Sequence, residues 1–356
     1  MADLWDNPMG TDGFEFVEYT ASDTAALGHV LEWMGFTAIA RHRSKDVTLY
    51  RQGEINFIIN AEPESFAQAF AKLHGPSACA IALRVKDAAS AYQHALDLGA
   101  WGVQGNIGPM ELNIPAIKGI GDSLIYLVDR YGIEATIYDV DFIPLTGVDQ
   151  NPQGLGLTYV DHLTHNVHRG RMMEWAEFYT RLFNFHELRY FDIEGKLTGL
   201  RSKAMISPCG QIRIPINESA DDQSQIVEYL HAYKGEGIQH IALGTDDIYT
   251  TVEALHERHV SFQTVPAAYY DAIDERVPEH DENLARLQKN YILIDGGPEQ
   301  GGGLLLQIFT NTVIGPIFFE IIQRKGNDGF GEGNFKALFE SIERDQIARG
   351  VLQESG

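Results

Sequence analysis

Ile238–Val260 reads IQHIALGTDDIYTTVEALHERHV, and Ala78–Ala100 reads ACAIALRVKDAASAYQHALDLGA. Both carry Ile-Ala-Leu on an apolar strand, then an acidic cap, then a helix with its apolar residues at helical spacing. In the later copy Ile248, Val252 and Leu255 share one helical face behind Asp246 or Asp247. Two such modules in one chain point to an internal repeat, and the self-similarity extends outward. Gly121–Gly132 (GDSLIYLVDRYG) aligns without a gap on Gly315–Gly326 (GPIFFEIIQRKG). Gly13–Phe36 parallels Tyr159–Phe185, each a strand, a helix and a closing Phe. In the second of these, Trp175, Phe178, Tyr179 and Leu182 follow the i, i+3, i+4, i+7 stripe of an amphipathic helix.

The chain therefore divides into two related halves built from strand–helix–strand modules, of the α+β class with mixed sheets. The polar, Gly/Pro-bearing stretch TGVDQNPQGLG at 146–156 marks the boundary. The expected domains are residues 1–150 and 151–356. A helix after Asn334, with Phe335, Leu338, Phe339 and Ile342 as its apolar stripe, belongs to the second half only.

The totals narrow the function classes. The 356 residues carry a net charge of −23, which argues against nucleic acid or anionic membranes as partners. Cys79 and Cys209 are the only cysteines and form no CxxC, so a disulfide scaffold or cysteine zinc site is excluded. The acidic start MADLWDNPMGTDGF lacks a basic-then-apolar signal segment, and no apolar run nears the ~18 residues of a membrane span. A cytoplasmic protein is expected.

Read against each other, the halves differ at three points. Opposite His162 stands Phe16, opposite His240 stands Ala80, and opposite Glu320 stands Tyr126. Glu320 sits in PIFFEIIQR, an otherwise apolar strand, where a lone ionised carboxylate is costly unless paired. A single histidine on a strand is more often packed than ligating, and a single glutamate can face water at a sheet edge. Three such residues confined to one copy of a repeat are more specific. Two imidazoles and one carboxylate on neighbouring strands can converge on one metal ion and leave positions open, as in the facial triad of non-heme Fe(II) oxygenases. His165, three residues from His162, falls on the opposite face of its strand. His256 and His259 read as surface, and His186 and His231 have no partner visible in sequence.

The segments DHLTHNV, PINES, SQIVEYL, GEGIQHIAL, LLLQIFT, FFEIIQRKG and GFGEGNFKALFESIE, in this order and spacing, resemble the 4-hydroxyphenylpyruvate dioxygenase family over nearly the whole chain. The resemblance implies a vicinal-oxygen-chelate fold, with paired βαβββ modules forming an open barrel in each half and a C-terminal lid helix. It implies one Fe(II) per chain held by His162, His240 and Glu320, and a homo-oligomer, dimer or tetramer. The implied substrates are 4-hydroxyphenylpyruvate and O2, the products homogentisate and CO2, and the setting tyrosine catabolism. The substrate carries its own keto acid, so no 2-oxoglutarate is needed.

Carried over residue by residue, the resemblance places Ser202, Asn217 and Gln225 at the phenol end of the substrate, and Gln239 and Gln307 beside the iron. Phe309 and Phe335 would sandwich the ring, with Phe318, Pro215 and Asn334 nearby, and Phe318 with Phe319 would form the site's apolar wall. Gly326, Gly329, Gly331 and Gly333 could hinge the last helix as a lid. Three rivals share the fold. In 4-hydroxymandelate synthases the benzylic carbon is oxidised; Phe309, Pro215 and Asn217 favour the ring-oxidising family. A metal-dependent glyoxalase or extradiol dioxygenase is the second; in glyoxalases the ligands are usually split between modules of both halves, whereas the first half here offers Phe16, Ala80 and Tyr126. Non-catalytic sequestering proteins usually lack a full ligand triad.

Overall fold

Each Ile-Ala-Leu strand lies in the middle of its own sheet, and the repeat unfolds symmetrically around it. The structure, a computed structural model, describes residues 2–336 apart from 106, 107, 109, 133, 134, 195–198, 223 and 298–301. The first half runs β1 (Phe14–Thr20), α1 (Thr24–Trp33), β2 (Thr37–His42), β3 (Val47–Gln52), β4 (Ile55–Asn60), α2 (Phe66–His74), β5 (Ser77–Arg84), α3 (Ala88–Asp97), β6 (Gly102–Val103), β7 (Ala116–Lys118), β8 (Leu124–Val128), α4 (Ile137–Asp141) and β9 (Phe142–Pro144). The second runs β10 (Leu157–Val167), α5 (Met172–Phe183), β11 (His186–Glu194), β12 (Gly199–Ile206), β13 (Arg213–Ser219), α6 (Gln225–Tyr233), β14 (Gly237–Thr245), α7 (Ile248–Glu257), α8 (Ala267–Tyr270), α9 (Ile273–Arg276), α10 (Leu284–Lys289), β15 (Leu293–Gly296), β16 (Leu304–Phe309) and β17 (Phe318–Lys325).

The βαβββ unit thus occurs four times, with α8–α10 inserted into the fourth. The sheets are ordered β6-β7-β8-β5-β1-β4-β3-β2-β9 and β11-β12-β13-β10-β14-β17-β16-β15, two curled half-barrels. At each centre an antiparallel pair, β1 with β5 or β10 with β14, joins two modules. Parallel neighbours flank each pair, β4 and β8 in one sheet and β13 and β17 in the other. The helix starts follow from local chemistry. Asp87 caps α3 by accepting from the Ser90 N–H, and Asp247, rather than Asp246, caps α7 through Thr250.

The alternation of β17 settles how a glutamate fits an apolar strand. Phe319 and Ile321 point into the main core, where the Phe319 ring stacks 6.0 Å from Phe57 of the first half. Glu320 points to the other face. Phe319 therefore belongs to the core and not, as expected, to the wall of the site. Residues 332–336 are helical; the expected lid helix with Leu338, Phe339 and Ile342 lies outside the described residues. Among the described residues no helix is long and apolar enough to cross a membrane.

His165 lies on the core face, as its spacing from His162 predicts. It is fully buried, with Nε2 2.7 Å from the Tyr179 hydroxyl and Nδ1 without a partner. Burial pushes its pKa down to about 3. The folded state therefore holds His165 neutral where the unfolded chain, titrating near 6.5, takes up a proton. Stability rises with pH across that window and falls on acidification. Between pH 7 and pH 5 this one group accounts for about 2 kcal/mol of lost stability. Urea unfolding at the two pH values should show His165→Gln losing that much less than the wild type. An equal acid loss in both would contradict the assignment.

Candidate metal centre

Strand register brings the three residues singled out by the repeat to one point. On one side of β14, His162 of β10 pairs with Ala242; on the other, Glu320 of β17 pairs with the same Ala242. His240 lies two residues before it, on the same face. The first half repeats the frame: Phe16 and Tyr126 both pair with Ala82, and Ala80 stands where His240 does. The equivalence of Phe16 and His162 thus holds in three dimensions. In the first half the slot is filled by two rings 5.7 Å apart; in the second it holds two imidazoles and a carboxylate.

His162, His240 and Glu320 are all buried, and one ligand atom from each lies within 4.8 Å of the others. His162 Nε2 is 3.2 Å and His240 Nε2 3.3 Å from Glu320 Oε2. Atoms bound ~2.1 Å from one ion at right angles stand ~3 Å apart, so the spacing suits a metal on one face of the three. The other carboxylate oxygen, Oε1, is buried with no partner. A buried carboxylate left half satisfied by protein groups fits a site meant for a cation.

The orientation of both imidazoles comes from a device the sequence did not reveal. Adjacent residues on a regular strand point to opposite faces, yet Asp161 Oδ1 lies 2.8 Å from His162 Nδ1 and Gln239 Oε1 lies 3.0 Å from His240 Nδ1. Each contact sits at a register shift. Val160 pairs with Leu243 and His162 with Ala242, which leaves Asp161 as an extra residue. Thr164 pairs with His240 and His165 with Ile238, which leaves Gln239 as another. A bulge re-aims side chains, and here it lets a residue reach its own neighbour. With each Nδ1–H donated to an oxygen, both rings present the Nε2 lone pair to the shared point. At His240 that lone pair meets the Thr164 hydroxyl at 2.9 Å.

Electrostatics reinforce the arrangement. Burial alone would raise the Glu320 carboxyl, but the two imidazoles outweigh it and hold it below its ordinary value. Burial alone would lower His162, but Glu320 and Asp161 carry it upward; at His240 burial wins and the value falls.

The trio opens on a pocket lined by Thr164, Phe191, Leu200, Ser202, Pro215, Asn217, Gln307, Phe309, Phe330, Glu332 and Phe335. Of the residues singled out in the sequence, Ser202, Asn217, Gln307, Phe309, Phe335 and Pro215 are in this lining. Others are not. Gln239 is not in the lining and bonds His240 instead. Phe318 stacks on the His240 ring, centroids 4.9 Å apart. Asn334 is buried behind the lining, accepting from the Tyr269 hydroxyl and donating to Gln307 Oε1 at 3.3 Å. Gln225 is the exposed first residue of α6 and is not in the lining, and Ser224 before it turns inward to Ser219 at 2.6 Å. A helix start presents only one of two adjacent side chains to the protein. Thr164, Phe191, Leu200, Phe330 and Glu332 were missed, because nothing in sequence separates a pocket wall from a core. The room left is about 40 Å³, enough for a few waters. The segment that closes it comes very near Gln307: a Cβ at Gly331, where φ is +78°, would lie 1.9 Å from Gln307 Oε1.

Comparison with known proteins agrees with this geometry. Residues 5–143 match the family described as Hydroxyphenylpyruvate dioxygenase, HPPD, N-terminal, and residues 159–308 match the Glyoxalase/Bleomycin resistance protein/Dioxygenase superfamily. The chain is 62% identical to Hemolysin VllY of Vibrio vulnificus, over 98% of this chain and 99% of that protein. It is 60% identical to 4-hydroxyphenylpyruvate dioxygenase of Pseudomonas aeruginosa, over 97% of each. Among solved structures, a xylose isomerase-like TIM barrel/4-hydroxyphenylpyruvate dioxygenase fusion protein superposes with a TM-score of 0.79 at 35% identity. That match covers 96% of this chain and 54% of the fusion. With identity this high along nearly its whole length, a vicinal-oxygen-chelate fold in both halves and a buried His-His-Glu centre in the second, the chain belongs to the 4-hydroxyphenylpyruvate dioxygenase family.

Proposed function

We propose that this chain is an Fe(II)-dependent dioxygenase that converts 4-hydroxyphenylpyruvate and O2 to homogentisate and CO2, with one iron held by His162, His240 and Glu320. The observation that carries the reading is the convergence of two imidazole Nε2 atoms on one oxygen of a buried carboxylate whose other oxygen is unpartnered. Two neutral imidazoles and a carboxylate suit iron and leave coordination positions open for a keto acid and O2. Bound iron would supply the redox chemistry and the chelation of the keto acid.

The protein's own side chains do the rest. Asp161 and Gln239 hold the imidazoles in the tautomer a metal requires. Phe309 and Phe335 offer flat apolar surface to a phenol ring, and Ser202, Asn217 and Gln307 offer hydrogen-bonding groups in an otherwise apolar wall. A keto acid bound to a dication needs no arginine clamp, consistent with a lining that contains no arginine or lysine among the described residues. Phe330 and Phe335 come from the segment that covers the pocket, and a swing of that segment outward would admit substrate. Its return excludes water from a reactive oxidant.

Two experiments test the reading. Fe(II) and 4-hydroxyphenylpyruvate, mixed with the protein without oxygen, should give a weak visible charge-transfer band, and air should then yield homogentisate by chromatography. 4-Hydroxymandelate as product would move the chain to the synthase reading; no band and no oxygen uptake would contradict both. Separately, Glu320→Gln should weaken Fe(II) binding more than ~100-fold and abolish turnover. Its metal-free form should melt no lower than the wild type, because a buried charge has been removed. Full iron content and activity in Glu320→Gln would show that Glu320 is not a ligand.

A further inference from the structure

Asp161, the extra residue of the β10 bulge, has no strand partner but is heavily bonded. Its Oδ1 accepts from His162 Nδ1 and from Arg324 Nη2, both at 2.8 Å, and its Oδ2 accepts from Arg324 Nε at 2.7 Å. Arg213 Nη1 stands farther off, at 3.5 Å. Burial alone would raise the Asp161 carboxyl; Arg324 and then His162 overcome it and hold it well below the carboxylate range. Arg324 lies four residues beyond Glu320 on β17, and its remaining nitrogen points elsewhere. Nη1 donates to the backbone carbonyls of Asn327 at 3.0 Å and Gly329 at 2.7 Å. The guanidinium also lies 5.7 Å from the centre of the Phe330 ring, and that ring meets the His162 ring edge-on at 5.3 Å. The contacts form a closed circuit from His162 through Asp161, Arg324, the Asn327–Gly329 turn and Phe330 back to His162.

The first half shows which part of this is common architecture. Glu15 is the bulged residue there, just ahead of Phe16, and it pairs with Arg84 at 2.6 Å. A buried carboxylate–arginine pair at the bulge is therefore a property of the module, with or without a histidine. Two things are peculiar to the second half. The carboxylate also holds an imidazole, and the arginine comes from β17, where its other end can hold the segment that covers the pocket.

Resting on the iron reading above, we propose that Asp161 and Arg324 are positioning residues that tie the His162 ligand to the Asn327–Phe330 turn. Filling the metal site then orders the turn, and releasing the turn loosens the ligand. Asp161 sets the direction of Nε2. Arg324 keeps Asp161 in place by donating to both of its carboxylate oxygens. Neither residue touches the space open to substrate.

The test uses the full metal-free chain with Co(II), whose visible spectrum reports both affinity and coordination, and amide exchange at Asn327–Phe330 with and without the metal. Asp161→Asn, Arg324→Gln and the double variant should bind Co(II) about 10- to 100-fold more weakly than the wild type. Co(II) should slow exchange at the turn in the wild type and not in the variants. The double variant guards against misfolding, since it removes both charges together. Glu15→Gln serves as the structural control: it should melt at a lower temperature yet bind Co(II) within about two-fold of the wild type. Wild-type Co(II) affinity in the double variant, or equal protection of its turn by metal, overturns the inference. Failure of the wild-type chain to bind Co(II) would overturn the metal reading as well, so the two failures are distinguishable.

Discussion

The site rests on one demand: Glu320, buried on all sides, has to be met by positive charge or hydrogen-bond donors. Both imidazole Nε2 atoms approach one of its oxygens, at 3.2 and 3.3 Å, and that convergence depends on β10 and β17 being in register on either side of Ala242. A slip of one residue on either strand would turn a ligand into the core and a core residue into the site. Phe319 and Ile321, sunk in the main core, hold β17 against such a slip, and Phe319 does so partly through Phe57 of the other half. The first half thus contributes to the centre through packing, and among the described residues the ligand group is drawn from the second half.

The repeat clarifies what function adds to architecture. The same frame, an alanine flanked by two side chains across a bulged antiparallel pair, occurs in both halves. In the first it is filled by Phe16 and Tyr126, and apolar contact suffices. In the second, a polar trio requires supporting groups, and the extra residues of the two bulges provide them as Asp161 and Gln239. At the corresponding bulges the first half has Glu15, turned to an arginine, and Cys79, whose thiol reaches the Glu18 carbonyl at 3.5 Å. The bulges are older than the site in the logical sense: they belong to the module, and the second half uses them to aim its histidines.

Much of this was legible in the sequence because the chain carries its own control. Setting Phe16, Ala80 and Tyr126 against His162, His240 and Glu320 isolates the trio, and the ladder registers reproduce all three equivalences. The βαβββ modules follow from the strand–helix spacing for the same reason. What could not be read is what depends on a departure from alternation or on one particular turn. Strict two-residue periodicity puts Asp161 behind His162, and only a bulge brings it round. Gln225 sits beside a helix start, where sequence does not say which of two neighbours faces in, and the structure turns Ser224 inward. Phe318 and Phe319 look equivalent in PIFFEIIQR, yet they lie on opposite faces, one stacked on His240 and one in the core.

The central claim is that the two imidazoles and the carboxylate enclose one iron. Diffraction data collected on either side of the iron absorption edge, from crystals loaded with Fe(II) without oxygen, test it most directly. The account predicts one anomalous peak per chain, in contact with His162 Nε2, His240 Nε2 and a Glu320 oxygen. Iron bound elsewhere, or bound without Glu320, would contradict it.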